Sequence, residues 1–377
     1  MVIEKKKLLI ATDCFLPRWD GIARFLHSLL PGLLDKYEIT VIAPDFGPLE
    51  MDELNLIRFK SRKIKIGDYS PPKVVYKILK DEIKNTDLIF IQTTGPIGNK
   101  AILLGKYYKK PTILYVHSLD WELFSKSLPR FRKIVRFITK YYIKFLYNSV
   151  DLLIVPYLEL KEILKRYGIY KPEIAVTRLG IDLNKYKPPL DKNQAKKNIG
   201  IEPDRFVIGY VGRISREKDI PTLLTAFKSL RREIPNVTLL VIGSGIKKLE
   251  DRLLLEKNVI FKGKQDNVVP YLQAMDAYVL PSHTETTSLS TIEAMACAVP
   301  VVVTPVGYVK TYVSDKYNGL FFPFGNDLVL KLKLKLLIED KELKEKISKN
   351  ALESVKKRFN WKNTQKRIEF ILSQFGG

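Results

Sequence analysis

The sequence predicts an α/β protein of two doubly wound parallel-sheet domains that face each other across a cleft. Three observations lead there. Short β-branched runs alternate with longer helical patterns. The runs are continuously apolar, as strands covered on both faces must be. They come in two successive sets, one per domain. The length of 377 residues also exceeds one comfortable core.

The first set is KLLIATD (7–13), EITVIAP (38–44), DLIFIQT (87–93), TILYVH (112–117) and DLLIVP (151–156). The second is FVIGYVG (206–212), VTLLVIG (237–243), NVIFKG (258–263), DAYVLPS (276–282) and PVVVTP (300–305). Helical stretches such as IARFLHSLLPGLL and IPTLLTAFKSLRREI lie between them. Between the sets, LNKYKPPLDKNQ (183–194) carries two prolines, several charges and no apolar period. It reads as a linker, which puts the first domain at 1–186 and the second at 187–359. A Lys-rich helical region follows residue 325.

Composition narrows the classes. No run of about 18 apolar residues occurs, so no transmembrane helix is expected. The opening MVIEKKKLLIATDCF reads as a first strand and not a signal peptide. Cys14 and Cys297 are far apart and fit a reducing cytosol, with neither disulfide nor zinc framework. His27, His117 and His283 are dispersed, so no metal site is expected. Neither a GxGxxG nor a P-loop occurs. The net charge of +23 raises nucleic-acid binding, but the charge spans both halves and no nucleic-acid motif accompanies it.

Open parallel sheets bind ligands beyond the C-terminal ends of their strands, and the polar residues of interest fall in those loops. Glu285 and Glu293 stand around a helix start with seven residues between them. Ser290-Thr-Ile-Glu293 fits a capping box, with Glu293 reaching back to the Ser290 N–H. It fits equally a helix start near Leu289 that offers N–H groups to a phosphate, with the two acids on sugar hydroxyls. Arg213 and Lys218, after the first strand of the second set, suit a diphosphate or a solvated basic loop. Gly21 lets backbone approach a ligand. His117 ends a strand and can hydrogen-bond a sugar, whereas His27 sits in an apolar helical pattern. The stretch 126–149 carries seven cations (Lys126, Arg130, Arg132, Lys133, Arg136, Lys140 and Lys144) and no acid. Apolar residues recur through it at helical spacing, so it reads as a helix for an anionic membrane surface, against the alternative of an ordinary sheet-covering helix.

PSHTETTSLSTIEAMACAVPVV, VGRISREK, VIGSG and TRLGIDLNKYKP together resemble the retaining glycosyltransferases of family 4, which have the GT-B fold of two Rossmann-like domains. The resemblance runs from the first strand to the last helix. It implies transfer of a hexose from a nucleotide sugar (UDP-, GDP- or ADP-linked) to an acceptor hydroxyl, without a cofactor or metal. It implies that Arg213 and Lys218 bind the donor diphosphate, Glu293 the ribose, and Glu285 the transferred sugar. Thr287, Ser288 and Leu289 would offer the helix-start amides, Gly243 the glycine-rich turn, and the Lys264 backbone a contact to the base. Gly21 would approach the phosphate and His117 the acceptor side. Trp361 matches the tryptophan where the last helix, 360–377, returns to the first domain.

Two departures stand out. Thr286-Thr287-Ser288 replaces the usual Gly-Phe-Gly, and Asp219 replaces a common glycine. The P-x-x-D-G variant around Asp20-Gly21 is similar to branches that glycosylate membrane lipids. A lipid or lipid-linked glycan acceptor at the inner face of the cell membrane is therefore expected. A soluble polysaccharide or polyol acceptor is the alternative within the class. A non-catalytic binder of nucleotide sugars or anionic surfaces is the alternative outside it.

Overall fold

Continuous apolar runs become buried strands here because both sheet faces are covered. β4 (Leu88–Ile91), β5 (Thr112–Tyr115) and β6 (Leu152–Val155) are buried at every residue. The computed structural model describes residues 5–18, 20–49, 51–63, 70–117 and 132–375. Two compact units result: residues 1–178 with 364–377, and residues 179–363.

In the first unit, those strands join β1 (Lys6–Ala11), β2 (Tyr37–Asp45), β3 (Asn55–Lys60) and β7 (Glu173–Val176). The sheet is parallel throughout, in the order β3-β2-β1-β4-β5-β6-β7. Its helices are α1 (Gly21–Leu34), α2 (Tyr76–Asn85), α3 (Pro96–Tyr107), α4 (Arg132–Tyr147) and α5 (Leu158–Arg166). The sequence reading missed β3 and β7. Both are edge strands, and NLIRFK is mostly half-exposed, so neither needs a continuous apolar run.

The second unit opens with α6 (Lys192–Asn198), then β8 (Phe206–Val211), α7 (Ile220–Glu233), β9 (Val237–Ile242), α8 (Lys247–Leu254) and β10 (Val259–Phe261). Next come α9 (Val269–Ala274), β11 (Ala277–Leu280), α10 (Leu289–Ala296), β12 (Val301–Val303), α11 (Val309–Tyr312) and β13 (Leu320–Phe321). The parallel sheet runs β10-β9-β8-β11-β12-β13, so the order reverses between β8 and β11. α12 (Asp327–Glu339) and α13 (Lys341–Arg358) account for the Lys-rich region. Leu330, Leu334 and Leu337 of α12 pack with Phe227 and Leu230 of α7 in one core.

The last helix, α14 (Trp361–Phe375), joins the first unit from Thr364 onward. Thr364 Oγ1 donates to the Arg178 carbonyl at 2.7 Å, and Lys36 pairs with Glu369 at 2.6 Å. Residues 179–186 go with the second unit. Ile181 N–H donates to Phe359 O (2.9 Å), and Trp361 N–H donates to Ile181 O (3.0 Å). A Cβ on Gly180 would lie 2.7 Å from the Asn360 backbone, so the crossing strands need glycine there. The proline-rich segment after it ends inside α6, whose start Asp191 caps through Asn193 N and Gln194 N.

A buried ion pair ties α6 to the sheet. Lys196 Nζ lies 2.7 Å from Asp276 Oδ2, with both side chains under a tenth exposed. The Asp276 carboxylate also accepts from Val207 N–H, and the Lys196 ammonium donates to the Pro203 and Arg205 carbonyls. Removing one partner strands the other charge in low dielectric, at a cost of about 3 kcal/mol. Asp276→Ala should therefore lower the unfolding free energy of the second unit by that amount in chemical denaturation. Replacing the pair together, Lys196→Met with Asp276→Leu, should cost less than Asp276→Ala alone. A larger loss in the double variant would contradict this account.

Candidate functional site

The second unit brings its expected site residues together where the strand order reverses. The chain leaves β8 through Gly212, makes a 3-10 turn at Arg216–Lys218, and enters α7. It leaves β11 into the 281–288 loop. His283 N–H donates to Glu217 O at 2.8 Å, which ties the two loops. Lys218 Nζ donates to Glu285 Oε1, and Ser282 Oγ donates to the same oxygen at 2.7 Å. The Lys218 and Glu285 side chains are 17% and 9% exposed, so the pair sits largely out of water, where its attraction is strong. Arg213 is more open, with Nη2 3.3 Å from Glu217 Oε1. The two cations expected to meet a diphosphate thus each rest on a carboxylate.

Two residues hold left-handed backbone beside this pair, and both stand where the family pattern has glycine. Asp219 has φ +45°. Its carboxylate caps α7, accepting from Thr222 Oγ1 at 2.7 Å, and approaches His283 Nε2 at 3.1 Å. Ser288 has φ +55° and precedes α10 without a side-chain cap. Its hydroxyl pairs with Thr291 Oγ1 at 2.8 Å. The Thr-Thr-Ser loop is held from behind: Tyr308 N–H donates to Thr286 O (3.0 Å) and Tyr312 O–H to Thr287 O (2.9 Å). A Cβ on Gly307 would lie 1.8 Å from Glu285 O, so glycine there lets the loops close up. The Thr287 hydroxyl is buried without a hydrogen-bond partner.

The capping-box reading fails. The helix starts at Leu289, two residues before the register that box needs, and Ser290 Oγ pairs instead with Tyr278 O–H at 2.8 Å. Glu293 lies in the second turn of α10 and is fully buried. Burial, together with the Glu293 charge, pushes the Cys297 thiol up to about 12. The glycine-rich turn needs its glycine for close packing. Gly243 has φ +135°, and a Cβ there would strike Gly212 O at 1.8 Å. Gly243 N–H donates to Gly263 O at 2.7 Å, which positions the loop carrying the exposed Lys264.

In the first unit, Asp20 caps α1 by accepting from Ile22 N–H and Ala23 N–H, both at 3.0 Å. Gly21 follows with open space over its α-carbon. His117 stacks on Tyr115 (4.4 Å between centroids) and meets Phe25 edge-on. Its Nε2 lies 2.9 Å from Gln92 Oε1, so Nε2 carries the proton and Nδ1 is left to accept. Burial lowers its pKa to about 3.

Sequence reasoning missed Asp13 and Gln92. The buried Asp13 carboxylate accepts from Thr93 Oγ1 (2.7 Å), Ile97 N–H (2.9 Å) and Gly98 N–H (3.2 Å), so it caps α3. The signal was present: an Asp at the end of a first strand, and a Gly-Pro helix start elsewhere. Gln92 is buried beside His117, and its Nε2 makes no hydrogen bond.

The basic stretch forms α4, and both its faces are apolar. Ile143, Leu146 and Tyr147 are buried. On the opposite side Ile134, Ile138, Tyr141 and Phe145, spaced i, i+4, i+7, i+11, form one stripe whose members are 52–61% exposed. The helix therefore packs inward through Ile143, Leu146 and Tyr147, as the ordinary-helix alternative expects, and carries a second, exposed apolar stripe besides. Lys140 lies over the Tyr167 ring at 4.2 Å, and Lys144 is half-exposed. Arg132, Lys133 and Arg136 lie in the helix. Arg130 and Lys126 lie outside the described residues.

Residues 19–185 match the family described as Glycosyltransferase Family 4, and residues 191–354 match Glycosyl transferases group 1. The chain belongs to glycosyltransferase family 4. It is 29% identical to the alpha-monoglucosyldiacylglycerol synthase of Acholeplasma laidlawii over 92% of both chains. It is 25% identical to the enzyme of that name from Streptococcus pneumoniae, over 84% of this chain and 75% of the relative. Its fold is that of Anabaena HepE, with a TM-score of 0.79 and 21% identity over 98% of this chain and all of the other. This family 4 glycosyltransferase therefore has two GT-B domains, as its motifs imply.

A histidine held neutral by burial cannot act as an imidazolium. The His117 ring resonances should stay flat from about pH 5 to 8 in a histidine-selective NMR titration. An inflection near the ordinary histidine value would contradict this.

Proposed function

We propose that this glycosyltransferase moves a hexose from a nucleoside-diphosphate donor to a hydroxyl of a membrane lipid, with retention of configuration. The exposed apolar stripe of α4 carries the lipid half of this reading. Such a stripe costs free energy in water and gains it at a headgroup boundary. The relatives named for monoglucosyldiacylglycerol synthesis support the same acceptor class. Among the described residues, no helix is long and apolar enough to cross a membrane. We assign the enzyme to the inner face of the cell membrane as a peripheral protein.

Donor recognition rests on charge and dipole. Arg213 and Lys218 take the diphosphate, with Glu285 and Ser282 holding the ammonium in place. The uncapped start of α10 adds amides of Leu289 and Ser290. Glu293 takes the ribose hydroxyls once donor opens its enclosure, and the backbone at Lys264 meets the base. His117 accepts from a sugar hydroxyl through Nδ1, and Gly21 leaves room for phosphate. The leaving diphosphate oxygen accepts the proton of the attacking hydroxyl on the face it departs from. The chain stabilises that developing charge with its own cations, so the proposal calls for no metal.

A thermal-shift panel of UDP, GDP and ADP hexoses tests the donor site, because a ligand specific to the folded state must raise Tm. One nucleotide should stabilise the wild type and leave Lys218→Met unmoved, each read against its own ligand-free Tm, which in the variant should fall because Glu285 loses its partner. Transfer by Lys218→Met should fall about 10²–10³-fold. Full transfer by that variant would remove Lys218 from the site. The anomeric coupling of the product by proton NMR decides stereochemistry: an α-linked donor should yield an α-linked product, and a β-linked product would overturn retention.

A further inference from the structure

The N-terminal ends of β5 and β6, opposite the strand ends that carry the sugar-site loops, hold a cavity of 470 Å³. Lys106, Lys109, Lys110, Thr112 and Ser149 line it, and Phe375 of α14 makes an apolar wall. That volume suits a small polar headgroup. The partners of its lysines are neutral. Lys106 Nζ lies 3.4 Å from Ser149 Oγ, and Lys110 Nζ donates to Thr86 O at 2.8 Å. The one lining carboxylate, Asp151, accepts from Thr112 N–H at 2.8 Å. The lining thus sets three lysines against one carboxylate and is positive on balance.

The α4 stripe ends at this cavity. Lys106 Nζ lies 5.6 Å from the centre of the Phe145 ring, the last residue of the stripe. Tyr107, next along α3, is 76% exposed. An apolar face and a cationic cavity therefore adjoin on one unit, as acyl chains and phosphate adjoin in a phospholipid. We propose that this cavity binds the headgroup phosphate of an anionic phospholipid in the leaflet that the α4 stripe enters. The proposal rests on the membrane reading above. It adds a dedicated phosphate site, remote from the donor loops, that makes docking depend on lipid charge.

Vesicle co-sedimentation tests it, with phosphatidylcholine alone and with added phosphatidylglycerol. Wild type should prefer the anionic vesicles. Lys106→Gln with Lys109→Gln should lower that preference at least tenfold, at roughly fivefold per lysine, and leave binding to neutral vesicles intact. The charge-matched Lys346→Gln with Lys349→Gln on α13 should stay within about twofold of wild type. Equal loss in both variants would show diffuse attraction and overturn the site, as would an unchanged preference in the cavity variant. Failure of wild type to bind any vesicle would instead sink the membrane reading. Calorimetric titration with soluble dihexanoyl phosphatidylglycerol then judges the cavity by itself. Binding by wild type and none by the cavity variant supports the site. No binding by wild type, or equal competition by inorganic phosphate, overturns it.

Discussion

The Lys218–Glu285 ion pair is the interaction on which the donor side depends. Its members come from loops 67 residues apart in sequence. They meet because β8 and β11 are hydrogen-bonded neighbours at the point where the sheet reverses direction. Helices leaving those two strands diverge, so a crevice opens between their first turns. In that low-dielectric place a lone ammonium or a lone carboxylate would be costly, and each stabilises the other. In the function proposed, the diphosphate inherits an ammonium whose position Ser282 and Glu285 already fix.

Precision in these loops comes with backbone strain. Left-handed conformation costs a non-glycine residue about 1–2 kcal/mol, yet Asp219 and Ser288 both adopt it. Each carries its own compensation: the Asp219 carboxylate caps α7 and faces His283, and the Ser288 hydroxyl bonds Thr291. Both residues thus hold a backbone conformation that glycine reaches without strain. The glycines at such positions elsewhere supply conformation, which a short polar side chain with a local partner also supplies. Tyr308 and Tyr312 press from behind, and burial keeps the Tyr312 phenol protonated and donating to the loop carbonyl.

The first unit solves a different problem. Asp13 and Asp20 each spend a carboxylate on a helix start, so α1 and α3 end their macrodipoles on side chains of the chain itself. What the unit leaves open is chemically soft: the neutral ring of His117, the space over Gly21, and the aromatic stripe of α4. These suit a hydroxyl-bearing acceptor and an interface better than a strong anion. The excess positive charge of the chain is not diffuse everywhere either, since Lys106, Lys109 and Lys110 gather at one cavity beside that stripe.

The sequence alone determined the architecture and nominated the site candidates. Continuous Val/Ile/Leu runs have few alternatives to buried parallel strands, and so β1, β2, β4, β5, β6, β8, β9, β10, β11 and β12 were legible. The strand-end rule then pointed to Lys218, Glu285 and His117 without any coordinates. Edge strands β3 and β7 and the two-residue β13 were not legible, because a short or half-exposed edge strand need not carry an apolar run, although the edge strand β10 does. Local pattern also misled at Ser290, where a capping box on paper gave way to a bond with Tyr278 from another strand. Only tertiary structure could decide that Lys218 rests on Glu285, that His117 is neutral, and that α4 turns apolar residues both inward and outward. Pairing, burial and exposure belong to distant segments brought together, and no window of sequence contains both partners.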